Sequence, residues 1–382
     1  MRLFTRLSLI LVAALSLVVV GCSSEIKLGA VISESGSVAT YGEFVKKGME
    51  LALEESNADG GTLGKQVSIV FRDDATNASV GQKVTRELIE VEKVNAIIGA
   101  VSSPVTLAIA PICEEAKMVL LSPSASANSI TDAGLWIWRN YPSDQIEGTA
   151  MAKFAKEEIG AERVVIFAHD NDWGNGLADV FTERYEGRFR SVEKRFVFDE
   201  SMMDQVDSWV AETMTLKPDA VYVIGYDQEL KALLASFQSA DLQAAIMSTS
   251  SVTPSIGRQA GAAAENMVYP QAVLDLDSDE PAIAAFISSY RAKYNEDPDI
   301  YAAHGYDAVK IILAAMESAQ ATHPRSVNSA MMGIENFQGA AGTTSFNSDG
   351  DVVRYPRIFI VRDGEPMPYD ELKDQGGSLF DR

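Results

Sequence analysis

The sequence predicts an α/β protein of two domains, each a mostly parallel sheet wrapped by helices. Three observations carry this. Short apolar runs alternate with longer helical ones along most of the chain, the pattern of strand–helix–strand units. The chain has 382 residues, 47% of them hydrophobic, so about 360 remain after an N-terminal leader is set aside, enough for two ordinary domains. Serine-rich turns follow directly on buried strands, at the carboxyl ends where open α/β sheets place ligands.

Residues 1–21 read as an export signal. Arg2 and Arg6 precede an apolar run, Ser8–Val20, that is too short to span a bilayer comfortably. Without the two arginines the formal charge moves from −22 to −24. So acidic a chain repels phosphate backbones, which excludes nucleic acid as a partner and suits solubility at a membrane surface. Cys22 follows the leader directly, and Cys113 is the other cysteine; its helical context predicts a small buried apolar residue.

The first set of elements runs strand Ile26–Ile32, helix Gly42–Asn57, strand Gln66–Asp73, helix Val80–Glu90 and strand Ala96–Ile98. A turn then leads to Ser102 and Ser103 at the start of a helix, with Pro104 in a first-turn position where its missing N–H costs nothing. A second buried strand, Met118–Leu121, ends in Ser122-Pro123-Ser124-Ala125-Ser126. Hydroxyls around a free helix N-terminus suit a carboxylate, although serines also serve as plain caps and turn residues. The second set begins after Trp138-Arg139-Asn140-Tyr141-Pro142. It comprises helices at 145–159, 174–187, 206–216 and 228–240, alternating with strands at 164–169, 193–198, 220–225 and 245–248. Strand Met267–Tyr269, acidic segment Asp275–Pro281, helices Ala282–Tyr294 and Ala303–Gln320, and strands near Gly342–Phe346 and Pro356–Arg362 complete the chain. Late return to strands predicts more than one passage between domains.

The order and spacing of several motifs resemble the type I periplasmic binding proteins of the leucine/isoleucine/valine-binding family, which serve ABC importers. They are Gly29-Ala30, Gly36, Tyr41-Gly42, Asn57-Ala58-Asp59-Gly60-Gly61, Asp73-Asp74, Ser102-Ser103, Ser122 to Ser126, Asp170 with Trp173-Gly174-Asn175-Gly176, and Gly225-Tyr226. The resemblance covers nearly all of the mature length. It implies two Rossmann-like lobes joined by a three-crossover hinge. Lobe one is expected at 26–141 plus 273–343, lobe two at 142–272 plus 344–372, and a tail at 373–382. Val19-Val20-Gly21-Cys22 resembles a bacterial lipobox, which implies a lipidated Cys22 and an extracytoplasmic or periplasmic, membrane-anchored protein.

By the same resemblance Ser103, with Ser102, holds a ligand carboxylate, and Ser124, Ala125 and Ser126 meet its amino and carboxyl groups. Tyr41, Trp173, Tyr226 and Tyr301 line or close the cleft, Trp173 standing where tyrosine is more usual. The implied ligand is a small amino acid, or a related acid or amide, passed to an ABC permease in the inner membrane. One departure stands out. Where leucine-binding relatives carry an acidic residue for the ligand ammonium, this chain has Ser248-Thr249-Ser250-Ser251, and Ser250 supplies no charge. Asp144 is a substitute, but Asp144-Gln145-Ile146-Glu147 reads as a capping box, and Asp227 as the N-cap of the next helix.

Signals for catalysis are weak. Gly60-Gly61-Thr62-Leu63-Gly64-Lys65 lacks phosphate-loop spacing, Asp275, Asp277 and Asp279 lack the rest of a calcium loop, and Asn347-Ser348-Asp349-Gly350-Asp351 reads as a hairpin turn. His169, His304 and His323 are scattered, without a metal or nucleophile motif. A non-enzymatic carrier without cofactor or metal is therefore expected, ahead of a hydrolase or sensor on the same scaffold.

Overall fold

The computed structural model describes residues 25–253, 255–272 and 274–379. The leader, Cys22 and the end of the expected tail lie outside them. The first lobe holds a five-stranded parallel sheet of order β2-β1-β3-β4-β5, formed by β1 (Ile26–Ile32), β2 (Val67–Asp73), β3 (Ala96–Gly99), β4 (Leu120–Ser122) and β5 (Ile137–Arg139). Alternation along β1 sends Leu28, Ala30 and Ile32 to one core and Val31 to another, so both faces are covered. Helix α1 (Ala39–Ala58) packs on the first face, while α2 (Ala78–Glu90) and α3 (Ser103–Ala116) pack on the second. Cys113 lies buried on α3, as expected.

After β5 the chain crosses at Asn140–Ser143 into α4 (Asp144–Phe154), which runs into a π-helical turn. The second sheet has order β14-β13-β10-β9-β8-β6-β7. Strands β6 (Arg163–His169), β7 (Ser191–Phe198), β8 (Ala220–Ile224), β9 (Ala245–Met247) and β10 (Val268–Gln271) are parallel and repeat the winding of the first lobe. Strands β13 (Arg357–Arg362) and β14 (Glu365–Pro368) add an antiparallel edge. Helices α5 (Asp172–Tyr185), α6 (Val206–Leu216), α7 (Asp227–Ser239) and α8 (Ile256–Ala260) cover this sheet. The chain then returns to lobe one, where α9 (Pro281–Tyr294), α10 (Ile300–Ala319) and α11 (Pro324–Met331) join the core beneath α1, and a small hairpin pairs β11 (Phe337–Gly339) with β12 (Gly342–Thr344).

Two expected boundaries move. Phe346 and Val352 belong to the first lobe's core and Asp351 pairs with Arg139, so the last crossover follows Val352 rather than Thr343. The tail continues through α12 (Tyr369–Asp374), and Leu379 is buried in the second lobe, so up to that residue it is packed chain. Residues 60–65 and 347–351 do form turns. The elements missed in the sequence, chiefly β5, β11, β14, α11 and α12, have three to eight residues, too few for a period to emerge.

Candidate functional site

In each sheet the strand order reverses beside the strand that opens the lobe, β1 or β6, and the crevices at these two switch points face one another. Between them lies a partly open cavity of about 50 Å³. Its wall comprises Val38, Tyr41, Val101, Ser102, Ser103, Ser124, Ser126, Tyr141 and Tyr301, with Trp173, Tyr226, Ser250 and Ser251 facing from the second lobe. Nine of the ten ligand-contact residues expected from the sequence are in this wall. Ala125 is not; it is buried, and its amide donates to Ser122 Oγ.

The serines are held by the turns they end. Gly99 closes β3 at φ 138°, and a Cβ there would lie 2.3 Å from the Val31 carbonyl, so only glycine brings this turn so close to β1. Ser102 is the N-cap of α3, yet its hydroxyl makes no capping bond and has no partner among the described residues. Ser103 Oγ accepts the amide N–H groups of Ser126 and Ala127, both at 3.2 Å, which ties the second serine loop to the helix and leaves the hydroxyl proton to be donated. Ser124 donates to the Val101 carbonyl at 2.8 Å. Beneath the loop, the fully buried Arg139 donates to the carbonyls of Ser126 and Ala127 and to both oxygens of Asp351. That ion pair spans 212 positions and is absent from the sequence-based expectations.

The aromatic wall joins the lobes. Tyr41, in the first turn of α1, donates to the Ser251 carbonyl at 2.7 Å, and Tyr301, in the first turn of α10, donates to the Ser250 carbonyl at 2.8 Å. The Tyr41 and Tyr301 rings meet edge to face at 5.1 Å, Tyr141 stacks on Tyr301 at 5.8 Å, and Trp173 stacks on Tyr226 at 4.8 Å. Burial pushes the hydroxyls of Tyr41, Tyr141, Tyr226 and Tyr301 upward, so all four stay neutral. Tyr141 and Ser251 were missed; Tyr141 lies two residues beyond β5, in the first crossover just before Pro142.

Two acidic residues differ from expectation. Asp144 does not open a capping box; Ser143 is the N-cap of α4, accepting from the Gln145 amide. That frees Asp144 and Glu147 to turn inward, where both are buried. Glu147 accepts from the amide of Ser250 at 3.1 Å and from its hydroxyl at 2.5 Å. Burial raises both carboxyl groups, and Asp144 raises Glu147 further. Asp227 is likewise not a cap; Tyr226 holds that position, and Asp227 accepts from Thr253 Oγ1. The histidines stay apart: His169 meets Tyr226 edge to face, His304 meets Tyr141, and His323 caps α11.

Comparison with known proteins agrees with this fold. The periplasmic binding protein family pattern matches residues 25–365. A leucine-, isoleucine-, valine-, threonine- and alanine-binding protein of Pseudomonas aeruginosa is 27% identical over 361 residues, 93% of each chain. A leucine-binding protein of Thermotoga maritima superposes with a TM-score of 0.84 at 27% identity, over 90% of this chain and 97% of its own. A branched-chain amino acid transporter substrate-binding protein of Streptococcus pneumoniae, solved with isoleucine, gives a TM-score of 0.82 at 27% identity, covering 90% and 98%.

Proposed function

The chain belongs to the periplasmic binding protein family, and from that premise we propose that it is the extracytoplasmic capture subunit of an ABC importer, closing two lobes over a branched-chain amino acid. The observation that carries this is the cavity between the lobes, in which serine hydroxyls at a helix N-terminus face an apolar aromatic wall. The N-terminus of α3, the Ser103 proton and the unpartnered Ser102 hydroxyl suit the ligand carboxylate; Val38, Val101 and the rings suit an aliphatic side chain. The names of the relatives, which bind leucine, isoleucine and valine, support the same ligand class. The role proposed is non-catalytic. Lipidated Cys22 tethers the protein to the membrane, and the ligand passes to a permease in the inner membrane.

A second ligand class, an amide or a carboxylic acid without an amine, is favoured by one feature: among the described residues, no charged side chain forms part of the cavity wall. A thermal-shift screen of amino acids, amides, and aliphatic and aromatic acids separates the two. Leucine, isoleucine or valine at about 100 times its Kd should stabilise the fold by roughly 2.7 kcal/mol, with smaller shifts from amine-free analogues. Shifts from the amine-free acids alone would replace the first ligand class with the second.

A further inference from the structure

A branched-chain amino acid in this cavity brings a positive charge that finds no partner in the wall. Directly behind the wall lie two carboxyl groups on the first turn of α4. Glu147 holds Ser250 through both amide and hydroxyl, and Ser250 lines the cavity, so this carboxylate stands one hydroxyl from the ligand. Asp144 is fully buried at the first crossover, its own amide donating to the Ser126 carbonyl. Among the described residues neither of its carboxylate oxygens has a partner in hydrogen-bond geometry, although the Ser126 side chain lies beside them. Taking the amino-acid ligand proposed for the cavity as the premise, we infer that the Asp144–Glu147 pair, placed behind Ser126 and Ser250, is the counter-charge for a protonated ligand amine and makes the cleft select ligands that carry one.

The surroundings leave the pair in need of a cation. The positive group acting on Asp144 is Arg139, which is already committed to two oxygens of Asp351 and two carbonyls. The other titratable groups facing the pair are the neutral hydroxyls of Tyr141, Tyr222 and Tyr226, and that of Tyr222 is itself buried without a partner among the described residues. Two buried carboxylates without a cation are strongly unfavourable, so the pair retains a proton at neutral pH. An ammonium arriving in the cavity favours the ionised form, and the displaced proton leaves to solvent. The acid absent beside Ser250 is thereby supplied from α4, through that serine.

The test is calorimetric titration of the full-length protein with leucine and with its 2-hydroxy analogue, in buffers of equal pH but different ionisation enthalpy. Leucine should release protons, approaching one per ligand, whereas the hydroxy acid releases none and binds about tenfold more weakly or worse. Glu147→Gln, which keeps a bond to Ser250, should weaken leucine by about ten- to hundredfold and abolish the proton release. Its affinity for the hydroxy acid should stay within about threefold. Equal proton counts for the two ligands overturn the inference while leaving the amino-acid assignment intact, as does unchanged leucine affinity in both Glu147→Gln and Asp144→Asn. Because the proton counts are read on the unaltered protein, a variant that fails to fold does not remove the test. Absence of binding by every amino acid overturns the ligand class itself, and this inference with it.

Discussion

Ser103 has two capacities on one oxygen: it accepts two loop amides and keeps its hydroxyl proton available to donate. Ser103→Ala should therefore weaken leucine by about one to two decades, the cost of roughly 1.5–3 kcal/mol for a hydrogen bond to a charged group, while the α3 N-terminus keeps part of the site. Calorimetry would check this, and wild-type affinity would remove Ser103 from the carboxylate site. Buried acids set the response to pH. Asp307 is fully buried and pushed up to about 7 by desolvation, and Asp144 and Glu147 are raised by the same cause. Acids whose folded values exceed their unfolded values add stability that is fully present below the unfolded value and is lost as pH rises through the folded one. A single Asp moved this far contributes roughly 2 kcal/mol more at pH 5.5 than at pH 8. Buried His304, pushed down by desolvation, acts oppositely below its ordinary range. Melting temperature should therefore be higher near pH 6 than at pH 8. Asp144→Asn should flatten that difference, and a profile rising from pH 6 to pH 8 would contradict it.

Among the elements, α1 and α10 matter most, because their first turns carry Tyr41 and Tyr301. They touch through small residues. A Cβ on Gly48 would stand 1.9 Å from the Ala302 carbonyl, and one on Gly305 would stand 2.3 Å from that of Val45. Gly48→Ala thus sets two effects in opposition: helix propensity favours alanine by about 1 kcal/mol, and overpacking costs about 1–3 kcal/mol or more. Packing should win, lowering the chemical denaturation midpoint; a raised midpoint would show that the helices separate freely. The sequence made these long helices legible, along with α6, because apolar periodicity survives over ten or more residues, and β1 because it is a short, mostly apolar run. It also placed most of the cavity wall, the serines because they follow directly on buried strands and the aromatics through the family resemblance. What stayed hidden depends on distant partners. Asp144 and Glu147 match a capping box letter for letter, and only the capping by Ser143 and the turn of α4 toward Ser250 reveal their other role. Arg139 gave no sign of Asp351, because a buried ion pair between distant segments leaves no local pattern.

For the whole molecule, three chain passages and the Tyr41 and Tyr301 hydroxyl bonds hold the lobes together around the cavity. A ligand touching both lobes favours this closed arrangement, so saturating leucine should shrink the radius of gyration in solution scattering. An unchanged profile at saturation would contradict closure on binding. Attachment is tested separately: Cys22→Ser should release the protein from membrane fractions or stall its processing, and full retention would exclude the lipid tether. The two-lobed wall also has a kinetic consequence. A molecule enclosed by residues from both lobes leaves only after they part, so dissociation cannot outrun the opening of the hinge. Ligands of quite different affinity should then share one ceiling on their off-rates, set by the tyrosine bonds between the lobes rather than by their own contacts. Whatever docks on the protein and pulls the lobes apart would control the moment of unloading without ever touching the cargo.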